Sequence, residues 1–278
     1  MDLNRVTTLR QPRSRSELTL SEGEALLAGG SWLFSEPQPK VTGLVDLLAL
    51  GWPPVEPLDE GLRLAATCTL AELAALPAAI DWKAHPLFKQ CCSALLGSFK
   101  VWNVATMGGN LCLALPAGPM AALVSALDAT AVIWTPDGGE RELPAAELVT
   151  GVGRTALAPG EVLRAIDIPV HALRSRTAYR KISLRPVGRS AALVIGRLGE
   201  DNSFTLTVTA ATRRPHHFTF DGLPGESAVL DAVDGIDDWY DDPHGAPDWR
   251  RAMTLQLSAE VRNELAPDAT YPTERAQA

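Results

Sequence analysis

Cysteine is scarce in this chain, and the little there is carries no metal spacing. Four are present among 278 residues: Cys68, Cys91, Cys92 and Cys112. No Cys-x-x-Cys pair occurs, so neither a zinc ribbon nor an iron–sulfur cluster is supported. Cys91 and Cys92 are neighbours and poorly placed to bridge each other. The expectation is reduced, partly buried thiols in a cytosolic protein. The five histidines, His85, His171, His216, His217 and His244, are scattered without ligand spacing. Redox chemistry on this chain therefore needs an organic cofactor.

Positive charge is also in deficit. The formal net charge is −8, which argues against nucleic acid as a partner, because a phosphate backbone needs clustered Lys and Arg. No apolar run follows Met1-Asp2-Leu3-Asn4-Arg5, so no signal peptide is expected. The most apolar stretch, residues 120–134, is broken by Asp128 and is too short to span a bilayer. A cytoplasmic location without membrane attachment is the expectation. The 46% hydrophobic content suffices for a sizeable core in one large or two ordinary domains.

Two familiar phosphate motifs are missing as well: neither Gly-x-Gly-x-x-Gly nor a lysine-ended P-loop occurs. Two other glycine-paired segments stand out. They are Ala28-Gly29-Gly30-Ser31-Trp32-Leu33 and Ala105-Thr106-Met107-Gly108-Gly109-Asn110. Glycine permits positive φ and lets a ligand approach the bare main chain. Successive exposed N–H groups in such turns form a concave anion site, and two of them could hold the two phosphates of a dinucleotide. The simpler alternative is chance, since 22 glycines make a pair or two unremarkable in number. Gly138-Gly139, after Pro136-Asp137, reads as a plain hairpin turn.

Short strands alternate with helices along the chain, which implies an α+β or α/β arrangement. Residues 21–27 read as a helix running into a short strand at 26–28, with a further strand over 45–50. A strand is expected at 62–66. Thr69 then caps a helix through residue 76, with Glu72 completing a capping box. Helices are expected at 86–96 and 120–127, and a hairpin joins 131–135 to 141–143. Residues 162–168 alternate as an edge strand does. A boundary is expected near 171–177, with strands beginning at 179, 191 and 203. Residues 231–247 read as loop. Met253, Leu257, Val261 and Leu265 fall on one face of a terminal helix, and the tail is expected to be disordered.

The two segments and their surroundings resemble the FAD-binding medium subunit of the molybdenum hydroxylases, the group of xanthine dehydrogenase and carbon monoxide dehydrogenase. Ala126-Leu127-Asp128-Ala129, Leu157-Ala158-Pro159-Gly160-Glu161 and Ile166-Asp167-Ile168-Pro169 match in order. Tyr179-Arg180-Lys181-Ile182-Ser183-Leu184-Arg185 resembles the start of the family's C-terminal domain, and Asp242-Pro243-His244-Gly245-Ala246-Pro247-Asp248-Trp249-Arg250-Arg251 its last motif. The resemblance implies an α+β fold: a two-part FAD-binding domain of the PCMH (vanillyl-alcohol oxidase-like) type, residues 1–173, and a smaller α+β C-terminal domain, 174–266, like that of the carbon monoxide dehydrogenase flavoprotein. Residues 267–278 would form the disordered tail.

The same resemblance implies noncovalent FAD held by Ala28, Gly29, Gly30, Ser31, Trp32, Leu33, Thr106, Gly108, Gly109, Asn110 and Lys181. Gly29, Gly30 and Ser31 would wrap the diphosphate, Thr106 and Asn110 would add side-chain hydrogen bonds, and Lys181 would meet the flavin or a phosphate. The alternative for Lys181 is a solvated strand-edge lysine. Iron–sulfur clusters and molybdopterin belong on two partner subunits, and electrons would pass through the flavin to NAD or another acceptor. Three departures from the family pattern weaken flavin binding without excluding it. Leu115 and Pro119 replace a Ser and an Asp, Trp32 replaces a small or polar residue, and residues 186–190 lack the usual acid. The alternatives are therefore a degenerate structural subunit that has lost FAD, and a stand-alone flavin oxidase.

Overall fold

The computed structural model describes residues 3–267, so the expected tail lies outside the described residues apart from Pro267. The chain opens with a small parallel sheet of β1 (Thr8–Arg10), β2 (Glu24–Leu27) and β3 (Gly43–Asp46), ordered β1-β3-β2. The helix expected over 21–27 does not form. Arg10 on β1 donates to both carboxylate oxygens of Glu24, at 2.8 and 2.7 Å, and the Ser21 N–H donates to the same carboxylate at 2.8 Å. These bonds hold the segment extended across the sheet. The strand expected over 45–50 stops at Asp46, whose carboxylate accepts the Leu48 N–H at 3.0 Å and turns the chain into a short 3-10 helix, Leu47–Leu50.

β4 (Val55–Leu58) and β5 (Gly61–Ala65) begin the second sheet. A run of helices follows: α1 (Leu70–Ala74), α2 (Pro86–Ala94), α3 (Phe99–Trp102), α4 (Met107–Leu113) and α5 (Pro119–Ala126). The Thr69–Glu72 capping box opens α1 as expected. Strands β6 (Thr130–Trp134) and β7 (Glu140–Pro144) form the expected hairpin, and β8 (Val149–Gly151) pairs with β9 (Arg154–Thr155). β10 (Val162–Pro169) then completes an antiparallel sheet ordered β4-β5-β10-β6-β7. Strand β10 is central, not an edge. Its polar positions are occupied by ion pairs on the sheet face, where Arg63 meets Asp167 twice at 2.7 Å and Arg164 meets Glu56 at 3.0 Å. Alternation reports two different faces, and a charged partner strand can supply the second as well as water can.

A short helix, α6 (Val170–Arg174), leads directly into an antiparallel meander of β11 (Arg176–Ile182), β12 (Ala192–Leu198), β13 (Phe204–Thr209) and β14 (His216–Phe220). Helices α7 (Glu226–Asp234) and α8 (Pro247–Glu264) close the chain, α8 lying on β11 and β12 beside α7. The loop expected over 231–247 thus begins only after α7 ends. On α8, Leu257 and Val261 are buried, with Leu265 just beyond its end. Burying such a side chain is worth about 1.5–3 kcal/mol, so this stripe is what seats the helix. Residues 242–251 are likewise structural in this part. Buried Arg250 donates to the carbonyls of Gly245, Ala191 and Ala210 and pairs with Asp242 at 2.5 Å.

Helix α5 joins the helices of the first part to the meander. All of its residues are buried; it packs on α2 and α4 on one side and on β12 and β13 on the other. Buried Arg197 of β12 locks the junction, donating to the Ala126 carbonyl at 2.9 Å and pairing with Asp128 just after α5.

Candidate functional site

The two glycine segments meet at one cavity of about 630 Å³. Ala28, Gly29, Gly30, Ser31, Trp32 and Leu33 line it, and so do Thr106, Gly108, Gly109 and Asn110. The structure therefore brings together ten of the eleven residues singled out above. Lys181 is apart: it lines a separate open groove with His85, Lys89, Gln90, Ser93 and Tyr179.

The segments are built differently. The first follows β2 as an irregular turn in which Gly30 has a φ of +67°, a conformation costly for side chains with a Cβ. No backbone N–H from Ala28 to Leu33 donates to another group among the described residues. A run of free donors facing a cavity is the arrangement that phosphate oxygens require.

The second segment is a helix start rather than a loop. Thr106 is the N-cap of α4, and its Oγ1 accepts the Gly109 N–H at 3.1 Å. The Met107 and Gly108 N–H groups donate to the carbonyls of Cys68 and Ala66, both at 2.8 Å. The backbone donors of Met107, Gly108 and Gly109 are thus used inside the protein. Its Asn110 has already committed Oδ1 to the Met120 N–H at 3.1 Å, which leaves the Nδ2 donors for a ligand.

The glycines serve packing more than ligand approach. A Cβ on Gly29 would lie 1.4 Å from the Val104 carbonyl oxygen, so the first turn rests directly on the backbone preceding the second segment. A Cβ on Gly108 would lie 2.6 Å from that of Ala66. Gly109 differs: the nearest atom to its Cβ position is Thr106 Oγ1 at 2.9 Å, and no other lies within 4 Å. Of the four, Gly109 has the most open space at its Cβ position.

The rest of the lining is mostly apolar and includes Leu26, Leu95, Leu96, Val101, Leu115 and Val162. Leu115 thus presents a hydrocarbon to the cavity, whereas Pro119 is buried as the first residue of α5. Two charged side chains line the cavity, Glu161 and Arg189. Arg141 donates to both Glu161 oxygens at 2.7 and 2.6 Å and holds that carboxyl below its usual range. Cys112 also faces the cavity, while Cys68, Cys91 and Cys92 are buried. Neither Cys112 nor Arg189 belongs to a motif that spacing alone could flag. Among the described residues no group of three or more His, Cys, Asp or Glu is placed to hold a metal ion. No helix among them is long and apolar enough to cross a membrane.

The residues fit a flavin dinucleotide: free N–H donors for a diphosphate, an amide donor, and apolar walls for rings. Comparison with known proteins agrees. A family model described as the FAD binding domain in molybdopterin dehydrogenase matches residues 12–171. Caffeine dehydrogenase subunit beta of Pseudomonas sp. (strain CBB1) is 38% identical over 80 residues, a segment that spans 29% of this chain and 27% of that protein. Quinoline 2-oxidoreductase from Pseudomonas putida 86 superposes with a TM-score of 0.78 at 22% identity, covering 95% of this chain and 98% of that one. Carbon monoxide dehydrogenase from Hydrogenophaga pseudoflava, in a form lacking the Mo-pyranopterin moiety, gives 0.77 at 21% identity over 93% and 96%. At these identities the two structures establish the shared fold. The chain belongs to the family of FAD-binding domains of molybdopterin dehydrogenases, a family of oxidoreductase flavoproteins.

Proposed function

We propose that this chain is the electron-transfer subunit of a molybdenum hydroxylase complex. In this reading it takes electrons from iron–sulfur clusters on one partner, which drain a molybdopterin subunit, and passes them to NAD or another acceptor. The observation that carries the reading is the run of unpaired N–H groups from Ala28 to Leu33, in a turn that lines a largely apolar cavity. Bound FAD would supply the two-electron chemistry, and the protein would supply orientation and electrostatics.

Each residue then has a defined task. The turn from Ala28 to Leu33 donates to the diphosphate. Gly109 leaves the room that a side chain would occupy, and Asn110 Nδ2 donates to the cofactor while its Oδ1 fixes the start of α5. Leu115, where the family pattern has a polar residue, gives a dry wall and one acceptor fewer. The four cysteines have no cluster-ligand spacing, which supports placing the clusters on a partner. The division into residues 1–173 and 174–266 goes with this reading.

The test is expression of the chain alone and with its partner subunits. Alone, it should bind one FAD that acid precipitation releases into the supernatant, and it should oxidise no purine, aldehyde or carbon monoxide. Reduction of the bound flavin by substrate should require both partners. A colourless protein that takes up no added FAD would establish the structural-subunit alternative. Turnover by the isolated chain would establish the oxidase.

A further inference from the structure

We propose that Arg189 is the counter-ion of the FAD diphosphate, contributed to the cofactor cavity from outside the family's FAD-binding segment. The inference rests on the FAD reading and adds to it a residue and a role.

The first argument is charge. A cofactor diphosphate carries about two negative charges, and a largely apolar cavity solvates them poorly. The free N–H groups from Ala28 to Leu33 offer dipoles but no net charge. Of the two charged residues that line the cavity, Glu161 is anionic and already neutralised by Arg141. Arg189 is the other, and its guanidinium has no hydrogen-bond or ion-pair partner among the described residues. The chain as a whole is at −8, so no general positive field takes its place. Among the described residues Arg189 is the one cation that lines this cavity without a partner, and a guanidinium suits phosphate oxygens through its fork of donors.

The second argument is position. Every other lining residue lies between Leu26 and Leu163. Arg189 lies in the connection between β11 and β12, beyond the segment that the family model matches. That connection is shaped by its own contacts, including a hydrogen bond from Ser183 Oγ to the Arg185 carbonyl at 2.6 Å. It brings an exposed arginine to the rim of the cavity. Diphosphate binding would therefore tie the meander to the nucleotide.

The experiment uses the full chain with three probes: FAD, ADP and riboflavin. ADP carries the diphosphate without the flavin, and riboflavin the flavin without the diphosphate. Affinities are read by flavin fluorescence titration and, for ADP, by competition with FAD, at several salt concentrations. Arg189→Ala should weaken FAD and ADP by about tenfold to a hundredfold. It should leave riboflavin unchanged and flatten the salt dependence. Arg189→Lys should recover a large part of the loss. Unchanged FAD and ADP affinity in Arg189→Ala would overturn the proposal, and so would an equal loss for all three probes. A loss confined to riboflavin, with a shifted flavin potential, would place the arginine at the ring and also overturn it. If the unsubstituted chain binds neither FAD nor ADP, the FAD reading itself falls; if only the variant disagrees, that reading stands.

Discussion

Asn110 Oδ1 accepts the backbone N–H of Met120 at 3.1 Å, so a residue on α4 caps the first turn of α5. The amide thus has a structural end and a free end. Asn110→Ala should destabilise the fold by about 1 kcal/mol, the usual worth of a lost cap. Asn110→Asp keeps an acceptor for Met120 but loses the Nδ2 donor and places a negative charge near the cofactor. It should therefore unfold close to the unsubstituted protein and bind FAD at least several-fold more weakly. Thermal unfolding and flavin titration of both variants check the split.

Gly29 and Gly109 should separate folding from binding. A methyl at Gly29 would overlap the Val104 carbonyl, which is backbone and cannot swing aside. Gly29→Ala should cost about 3 kcal/mol or more and lose FAD as a consequence. Gly109 is helical and opens toward the cavity, with Thr106 Oγ1 its one close neighbour. Gly109→Val displaces the Thr106 Oγ1 cap and should cost about 1 kcal/mol, so the protein should still fold yet fail to retain FAD. Retention of full flavin by Gly109→Val would mean that the cofactor does not pass this helix.

These two glycines also show how far the sequence could be read. The pairing of Gly-Gly segments pointed to one site, and the structure brings ten of the expected residues around one cavity. The capping box at Thr69, the hairpin from β6 to β7 and the stripe on α8 were local signals, and local chemistry is visible in sequence. The reason for each glycine was not. Whether a Gly serves a ligand, a turn or a neighbouring carbonyl depends on what lies across from it, and Val104 and Ala66 are distant in sequence from Gly29 and Gly108. Glu24 escaped for the same reason, since its strand conformation is fixed by Arg10 on another strand. Arg189 lies in the 186–190 stretch, which the sequence marked for a missing acid and not for the arginine it carries to the cavity.

Cys112 should report cavity occupancy. It is the exposed cysteine of the four, and it lines the cavity. Alkylation by a maleimide should be faster at Cys112 than at the three buried cysteines, because an exposed thiol is open to the reagent. The label should stop at one per chain under native conditions, and added FAD should slow it. Mass spectrometry of the peptide, with and without FAD, decides this. Labelling that FAD does not affect would place the cofactor away from α4.

Glu24 should set part of the acid limit of the fold. Arg10, and then the Ser21 N–H, lower its pKa from the ordinary 4.5 to about 2. The carboxylate is thus favoured by folding, so its contribution is complete above pH 4.5 and is lost as pH falls toward 2. In Glu24→Gln this part of the acid sensitivity should disappear. Urea unfolding across that range reads the difference, and identical slopes for the two proteins would show that the pair is screened by solvent.

Helix α5 belongs to neither half of the molecule alone. Its buried residues serve the packing of α2 and α4 and of β12 and β13 together, and Arg197 ties its end to the meander. Modularity is therefore limited, even though the sequence has an apparent seam near residue 174. A chimera that joins the first 173 residues to the second half of a relative must inherit a surface complementary to α5, including a cation that reaches Ala126 and Asp128. Recombination among such flavoproteins should succeed where that surface is carried across with the helix, and fail where only the seam is respected.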